Sequence, residues 1–230
     1  MAGDHSGERG AMARKTTFIR QDVIDAALTV LETDGMSAVT ARRVADAMGA
    51  STAPVYSNFD NMEELIDAVI KGEGITMMLD YCRRSWTDDS FLSMGVGFIH
   101  FTMEHPNMVR AMYLDPGARC PGENVAVEHL LGDLQRHPLL KELPRDHLEE
   151  LLFQTSIYSL GLAATIVAGL WPDPDLKAIE SWLKNVGGVL IRAALESAGV
   201  DAAEEMKQQY GEFVAPFRHP NCPLTEEDHD

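Results

Sequence analysis

The chain has 230 residues, a length that fits one large domain or a small domain joined to a larger one. Its formal net charge of −17 excludes a protein that coats nucleic acid with its whole surface. The acidity is uneven, because the first 60 residues hold 6 Lys and Arg against 8 Asp and Glu, whereas the remainder holds 13 against 28. The nearly neutral N-terminal part leaves room for a small local contact with nucleic acid.

Cysteine usage and hydropathy predict a protein of the reducing cytoplasm. Cys82, Cys120 and Cys222 are odd in number and far apart, which argues against a disulfide framework or a structural zinc site. The N-terminus is polar and rich in glycine, without the apolar segment of a secretory signal. The longest apolar run, residues 156–171, is too short to span a bilayer and predicts a buried core helix. We expect no cofactor, no metal and no membrane contact.

Helical periodicity dominates the sequence. Apolar residues recur at three- and four-residue spacing throughout, while alternating strand patterns closed by Asn-Gly or Asp-Gly do not occur. The chain is therefore predicted to be all-α. Residues 1–16 are expected to form a flexible arm, and the next apolar stripe predicts a helix over residues 17–34 that ends at Gly35.

Short helices are predicted to follow, between residue 40 and the middle of the chain. Ser51 is the expected N-cap of one of them, and its Val55 and Phe59 lie four residues apart on one face. Asp60 or Asn61 is the expected N-cap of the next, which starts a long element.

Downstream the predicted helices lengthen. Their expected spans are 62–85, 88–104, 107–114, 123–137, 145–170 and 174–199. The chain thus divides into a helix-turn-helix domain over residues 17–62, a helical effector-binding and dimerisation domain over 63–200, and a C-terminal tail over 201–230. The tail is expected to begin as a helix.

The stretch from Thr40 to Asn58 has the spacing of a helix-turn-helix. Thr40 is a suitable N-cap for a helix in which Ala45 is small where two helices approach closely. Gly49 supplies the positive φ that a tight turn between crossing helices often requires, and Val55 docks the second helix. The unburied face of that second helix fits the DNA major groove, where its first residues meet base edges.

Two kinds of DNA contact are predicted around this second helix. Its open face offers small polar side chains to base edges, whereas adjacent arginines, basic residues of the arm and Arg20 reach the phosphates. A solvated helix surface is the alternative reading of the adjacent arginines. The candidate DNA-contacting residues are Arg14, Lys15, Thr40, Arg42, Arg43, Ser51, Thr52, Ala53, Tyr56, Ser57 and Asn58.

Residues 19–69 resemble the DNA-binding domain of TetR-family transcriptional regulators. The matching features are Asp34-Gly35, Thr40 with Val44-Ala45, Gly49-Ala50-Ser51, Val55-Tyr56, Phe59 and Glu64-Leu65. The resemblance implies a three-helix head, an all-helical ligand-sensing body and a homodimer. Two positions depart from the family, because Asn58 stands where a His is usual and Met62 where a Lys is usual. Both changes predict a weaker grip on phosphate or compensation by the arm.

An effector site is expected in the body, where methionines are dense. Methionine adapts to varied apolar ligands and lines pockets together with aromatic residues, although core filling is its commoner role. The candidate ligand-binding residues are Met78, Cys82, Phe101, Met103, Met112, Tyr113, Phe153 and Tyr158. Small residues in the two long helices over 145–199 allow close packing and predict a four-helix dimer interface. The leading hypothesis is a homodimeric repressor that a small-molecule effector releases from a palindromic DNA operator.

Two other classes of protein stay open at this point. A helical ligand-binding or protein-interaction module that has lost DNA binding is compatible with Asn58, Met62 and the low local positive charge. An all-α enzyme has no support, since the sequence contains no P-loop, GxGxxG, GxSxG or HExxH motif. His100 and His105 lie five residues apart and do not share one helical face squarely, so a metal site is not expected.

Overall fold

The structure is a computed structural model that describes residues 17–118 and 125–211. Every regular element in these two ranges is a helix, which confirms the predicted all-α class. The predicted arm over residues 1–16, with its candidates Arg14 and Lys15, lies outside the described residues, as do residues 119–124 and 212–230.

The N-terminal head is built from α1 (Arg20–Asp34), a 3₁₀ turn (Met36–Ala38), α2 (Ala41–Ala47) and α3 (Ala53–Asn58). Helix α1 ends at Gly35 as predicted, although it begins three residues later than expected. Thr40 caps α2 as predicted, since its Oγ1 accepts a hydrogen bond of 3.3 Å from the amide of Arg43. The predicted cap of α3 is wrong, because Thr52 and not Ser51 occupies the N-cap position.

One continuous helical path leads from the head into the body. A π-helical segment (Ala68–Gly74) joins α4 (Met62–Asp67) to α5 (Ile75–Arg83) without a break. Asn61 caps α4, because its Oδ1 accepts a hydrogen bond of 2.9 Å from the amide of Glu64. The Glu64 carboxylate in turn accepts a hydrogen bond of 2.8 Å from the amide of Asp60. The predicted long element over residues 62–85 is therefore confirmed, except for the wider turns in its middle.

The remaining helices build the body. They are α6 (Ser90–Glu104), α7 (Pro106–Val109), α8 (Val125–Leu134), α9 (Arg145–Val167), α10 (Leu176–Ala198) and α11 (Ala203–Tyr210), with a second π-helical segment (Arg110–Leu114) after α7. Helix α6 lies in the middle, since it packs against α5, α9 and α10. The predicted spans agree with these bounds to within a few residues.

Head and body share one hydrophobic core. A single cluster of buried side chains runs from Val23 in α1 and Val55 in α3 to Met112 and Val167 in the body. Helix α1 also packs against α7 and the first π-helical segment. The head is therefore fixed to the body by apolar packing rather than by a flexible linker.

The junction of head and body is polar at its edge. The Asn107 side chain donates a hydrogen bond of 2.9 Å to the carbonyl oxygen of Glu32, near the end of α1. His105 Nδ1 lies 3.3 Å from Oε1 of Glu32, within ion-pair distance but without hydrogen-bond alignment, so this buried oxygen has no hydrogen-bond partner. Burial raises the pKa of the Glu32 carboxyl, and the neighbouring His105 opposes that rise.

Helix α9, which contains the long apolar run, is buried on one side only. Leu151 and Ala163 face the core, whereas Phe153 and Ile157 are 62% and 56% exposed. The predicted core helix therefore contributes one side to the core and leaves the other side exposed in the subunit. Within residues 17–118 and 125–211, α9 alone has the length and composition of a membrane span, and 28% of that window is buried. A single such helix is weak evidence for a membrane span, because bundle helices of this kind pass the same test.

Helix α11 is tied to the body by a buried carboxylate. Asp89 Oδ2 accepts hydrogen bonds of 2.7 Å from the Tyr210 hydroxyl and 2.8 Å from Gln209 Nε2. His137 Nε2 lies 3.3 Å from the other oxygen of Asp89. Gly188 of α10 permits this approach, because a Cβ atom there would lie 2.9 Å from the Tyr210 ring. The structure thus places the first part of the predicted tail, residues 203–210, in the body.

The Asp89 carboxylate stays ionised in this network. Burial acts to raise its pKa, but hydrogen bonds from His137, Tyr210 and neighbouring groups outweigh burial and hold the pKa well below its ordinary value. Burial beside this negative charge raises the pKa of the Tyr210 hydroxyl far above its ordinary value.

We predict that Asp89→Asn lowers the free energy of unfolding by about 1–3 kcal/mol at neutral pH, because the charge-assisted hydrogen bonds are lost. Since the pKa of Asp89 is lowered on folding, its contribution is complete above the pKa of an unfolded aspartate, about 4, and is lost as the pH falls below it. Urea denaturation between about pH 7 and about pH 3 should show the difference from wild type shrinking. The exposed neighbour provides the control Asp88→Asn, and an Asp89→Asn protein as stable as wild type at neutral pH would contradict the prediction.

Candidate functional site

A tight turn holds α2 and α3 at the exposed end of the head. Gly49 has a φ of +63°, and the amide of Ala50 donates a hydrogen bond of 2.9 Å to the carbonyl oxygen of Ala45. Val55 is 1% exposed and docks α3 against the rest of the head. The two helices and their turn form the predicted helix-turn-helix.

The open face of α3 carries most of the predicted base contacts. Pro54 occupies the first turn, where a missing N–H costs no hydrogen bond, and the helix accordingly starts at Ala53. Tyr56 is 58% exposed, and its hydroxyl has no partner in the described ranges. The Ser57 hydroxyl donates a hydrogen bond of 3.0 Å to the carbonyl oxygen of Pro54. The exposed candidates at this helix are Ser51, Thr52, Ala53, Tyr56 and Ser57.

The two adjacent arginines of α2 differ in their surroundings. The guanidinium of Arg43 forms an ion pair with the carboxylate of Asp34 at the end of α1. Arg42 is exposed and makes no ion pair with any residue that the structure describes. Arg42 is therefore available for a new ion pair, whereas Arg43 would first have to break its ion pair with Asp34.

Arg20 and Asn58 make contacts within the head at the C-terminal end of α3. Arg20 Nη1 donates a hydrogen bond of 2.8 Å to the carbonyl oxygen of Asn58 and lies 3.0 Å from the Glu64 carboxylate. Its guanidinium stacks 3.9 Å from the centre of the Phe59 ring. The Asn58 amide group donates a hydrogen bond of 2.9 Å to the carbonyl oxygen of Pro54. The sequence had no signal for these contacts, because their members are spread from residue 20 to residue 64.

The body contains a cavity of about 650 Å³, a volume that suits a drug-sized molecule. Its wall is formed by α5, α6, α8, α9 and α10 together with the second π-helical segment. Five of the predicted ligand-binding residues line it, namely Met78, Cys82, Tyr113, Phe153 and Tyr158.

The other three predicted ligand-binding residues lie elsewhere. Phe101 and Met112 are fully buried in the core that head and body share, and Met103 is 39% exposed. Sequence reasoning also missed an apolar part of the wall, which includes Phe91, Phe98, Leu130, Leu183 and Val186. Core and wall positions have the same helical periodicity, so the sequence offers no signal that separates them.

The cavity wall carries little reactive chemistry. Burial raises the pKa of the Cys82 thiol to about 12, which keeps it protonated and poorly nucleophilic at neutral pH. Glu128 and Glu149 both pair with the guanidinium of Arg145. No group of three or more His, Cys, Asp and Glu residues able to hold a metal ion occurs in the described ranges.

The sequence of the head decides the family. Residues 23–69, from the first turn of α1 to the start of the linking π-helical segment, match the model for bacterial regulatory proteins of the tetR family. The head is a TetR-family DNA-binding domain. The resemblance that the sequence indicated is thereby confirmed.

Two relatives of this TetR-family chain carry the same kind of description. A segment of 71 residues, 31% of this chain and 31% of the relative, is 32% identical to the HTH-type transcriptional repressor KstR2 of Rhodococcus jostii (strain RHA1). A segment of 104 residues, 44% of this chain and 48% of the relative, is 26% identical to the uncharacterized HTH-type transcriptional regulator Rv0681 of Mycobacterium tuberculosis (strain ATCC 25618 / H37Rv). The matches span less than half the length of either relative.

We predict that Arg20→Ala lowers the free energy of unfolding by about 1 kcal/mol, a value discounted for the solvent exposure of its ion pair. The loss comes mainly from the hydrogen bond to the Asn58 carbonyl and the stacking on Phe59. Arg42→Ala is the matched control, because it removes the same charge without breaking a contact in the described residues. Thermal unfolding of the two variants should separate them, and equal midpoints would refute the bracing role of Arg20.

Proposed function

We propose that this TetR-family protein is a cytoplasmic homodimer that represses transcription by binding a palindromic DNA operator and is released by a small-molecule effector. The observation that carries the proposal is the TetR-type helix-turn-helix, whose second helix α3 leaves a polar face open to solvent. A major groove admits such a helix, and no catalytic residue is part of the proposal.

The proposed DNA surface combines α3 with the start of α2. Thr52, Ala53 and Ser57 face base edges, while Arg42 and Tyr56 contact the phosphate backbone. Arg43 contributes after it exchanges Asp34 for a phosphate, and Arg14 and Lys15 add contacts from the arm. Arg20 and Asn58 are removed from the proposed contacts, because their side chains bind within the head.

The exposed side of α9 supports a dimer. Phe153 and Ile157 form one row on α9 with Gly161, and a Cβ atom at Gly161 would meet nothing within 4 Å. Val189 of α10 is 42% exposed as well. Apolar area of this kind is stabilised when a second copy covers it. Of the small residues expected at the interface, however, Ala163 and Gly188 pack inside the subunit, against the core and Tyr210 respectively.

A dimer places two α3 helices on one face of the duplex. Successive major grooves on that face are about 34–36 Å apart, so the geometry requires a palindromic operator with half-sites one turn apart. The acidic body, directed away from DNA, orients the head toward the duplex by charge repulsion.

The cavity is proposed as the effector site, and the two π-helical segments connect it to the head. Tyr113 lines the cavity within the second segment, and its hydroxyl lies 3.3 Å from Sδ of Met78. Met112, the next residue back, reaches Gly74 of the first segment, where a Cβ atom would lie 3.4 Å from its Sδ. A ligand that displaces Tyr113 therefore shifts α4 and the spacing of the two heads. A coupling of about 1–3 kcal/mol would change operator affinity by about 5- to 150-fold.

The second candidate is a helical ligand-binding or protein-interaction module that has lost DNA binding. The observation that favours it is the scarcity of available positive charge. Within the described part of the head Arg20 and Arg43 are already paired, and of these three arginines Arg42 alone is left for a phosphate. Selection of binding sites from random duplexes with the purified protein distinguishes the two, because only the regulator enriches a palindrome.

We predict that Arg42→Ala weakens binding to the selected operator by about tenfold per half-site and lowers the slope of log affinity against log salt by about one per contact. Arg43→Ala should have a smaller effect, because its guanidinium starts from an ion pair with Asp34. Fluorescence anisotropy over a salt series measures both, with the exposed body variant Arg192→Ala as the control for charge. An Arg42→Ala protein with wild-type affinity and slope would remove Arg42 from the DNA surface.

We predict that Gly161→Arg converts the dimer into a folded monomer. The monomer has open space at this position, whereas a close helix–helix contact does not accept an arginine. Sedimentation velocity measures the mass and circular dichroism the helical content, and Gly161→Ala should remain a dimer. If Gly161→Arg sediments as the wild-type dimer, the α9 face is not the interface.

A further inference from the structure

We infer that the cavity accepts an uncharged, elongated and mainly apolar molecule with one hydroxyl or carbonyl group, and that it rejects carboxylates and phosphates. The inference rests on the proposed function, since it names the chemical class of the effector for the same cavity. Three features support it, namely the negative charge at the mouth of the cavity, the apolar wall and the hydroxyl group of Ser159.

Charge at the mouth excludes anions. Among the described residues of the wall, Glu128 and Glu149 are the charged ones and none is Lys or Arg, and both carboxylates pair with the guanidinium of Arg145. The side chains of the three residues are about half exposed, which places them at the solvent side of the cavity. The group therefore carries one excess negative charge. An anionic ligand would be repelled on entry and would find no cation in the described wall to replace its lost hydration.

The middle of the cavity is apolar. The wall there consists of side chains such as Leu152, Phe98 and Leu183, which offer no hydrogen bonds. A ligand gains free energy in this region in proportion to the apolar surface that it buries. The wall thus selects for a hydrocarbon or aromatic skeleton.

One polar group lies deep in the cavity. Ser159 lines the cavity and is 7% exposed, and its hydroxyl makes no hydrogen bond within the described residues. Because the hydroxyl oxygen is accessible from the cavity and is not bonded within the described residues, a ligand that supplies a hydroxyl or carbonyl group can form a hydrogen bond with it. Ser159 lies beside Gly95, where a Cβ atom would be 3.8 Å from the serine oxygen.

The separation of the two polar ends sets the length of the ligand. Glu149 and Ser159 are on the same helix, α9, and both line the cavity. Ten helical steps of 1.5 Å place them about 15 Å apart along the helix axis. A molecule that contacts both Glu149 and Ser159 is therefore elongated.

The test compares probes that differ in charge but have the same chain. The full-length protein is loaded with the neutral dye Nile red, and the dye is displaced with dodecanol or with dodecanoate at a pH where the carboxylate is ionised. Dodecanol should displace the dye at a concentration at least about tenfold lower than dodecanoate. Equal displacement by the two probes, or failure of both dye and alcohol to bind, overturns the inference.

Two pairs of variants locate the effect. Glu149→Gln removes the excess negative charge and should reduce the difference between the displacing concentrations of dodecanol and dodecanoate. Glu150→Gln, outside the cavity on the same helix, should leave that difference unchanged. Ser159→Ala should weaken dodecanol binding about fivefold, the loss of one hydrogen bond, whereas Ser156→Ala, at an exposed position of the same helix, should not. If Glu150→Gln reduces the difference between dodecanol and dodecanoate as much as Glu149→Gln does, the net charge of the protein causes the preference for the alcohol. The assignment of that preference to the cavity mouth is then wrong.

The outcome for the ligand class is separable from that for the effector role. Dodecanol that binds with the expected preference but leaves operator binding unchanged supports the class and counts against the effector role. A carboxylate that releases the operator through this cavity supports the effector role and overturns the class.

Discussion

The contact between the two π-helical segments is the constraint on which the rest of the structure depends. Gly74 in the helix from the head has no side chain, and the sulfur atoms of Met108 and Met112 occupy the space that a Cβ atom would fill. Around this contact a single core runs from α1 to α9. Because head and body are packed into one core, the orientation of the head follows the arrangement of the body helices. An isolated head on a flexible linker would have no such dependence.

The head has little positive charge, and part of it is used in contacts within the fold. The chain carries a formal charge of −17, and its head holds few arginines, two of which are already engaged in contacts within the fold. Arg20 stabilises the end of α3, and Arg43 holds the end of α1 to the start of α2. Rigid placement of α3 thus uses positive charge that would otherwise be available to DNA. In the proposed function, the polar open face of α3 and the proposed dimer then supply much of the operator specificity.

Buried polar groups in the body have distinct roles. Asp89, the N-cap of α6, accepts hydrogen bonds from Gln209 and Tyr210 and lies beside His137, and it thereby holds α11 to the start of α6. Ser159 has no such partner, although it is similarly buried. A satisfied polar group stabilises one arrangement of the helices, whereas an unsatisfied one at a cavity wall is available to a ligand. In the proposed function, this difference distinguishes a structural polar site from a ligand-binding one.

The sequence by itself determined the helical class, the turn at Gly49, the cap at Thr40, and the burial of Val55 and Phe59, and it narrowed the cap of α4 to Asp60 or Asn61. These features depend on residues a few positions apart, whose spacing and backbone preferences can be read directly. Only the tertiary structure decided that Asn58 and Arg20 make contacts within the head, that Phe101 and Met112 belong to the core, and that one side of α9 is exposed. Those outcomes depend on which distant helices meet, and helical periodicity marks an apolar face without saying what covers it.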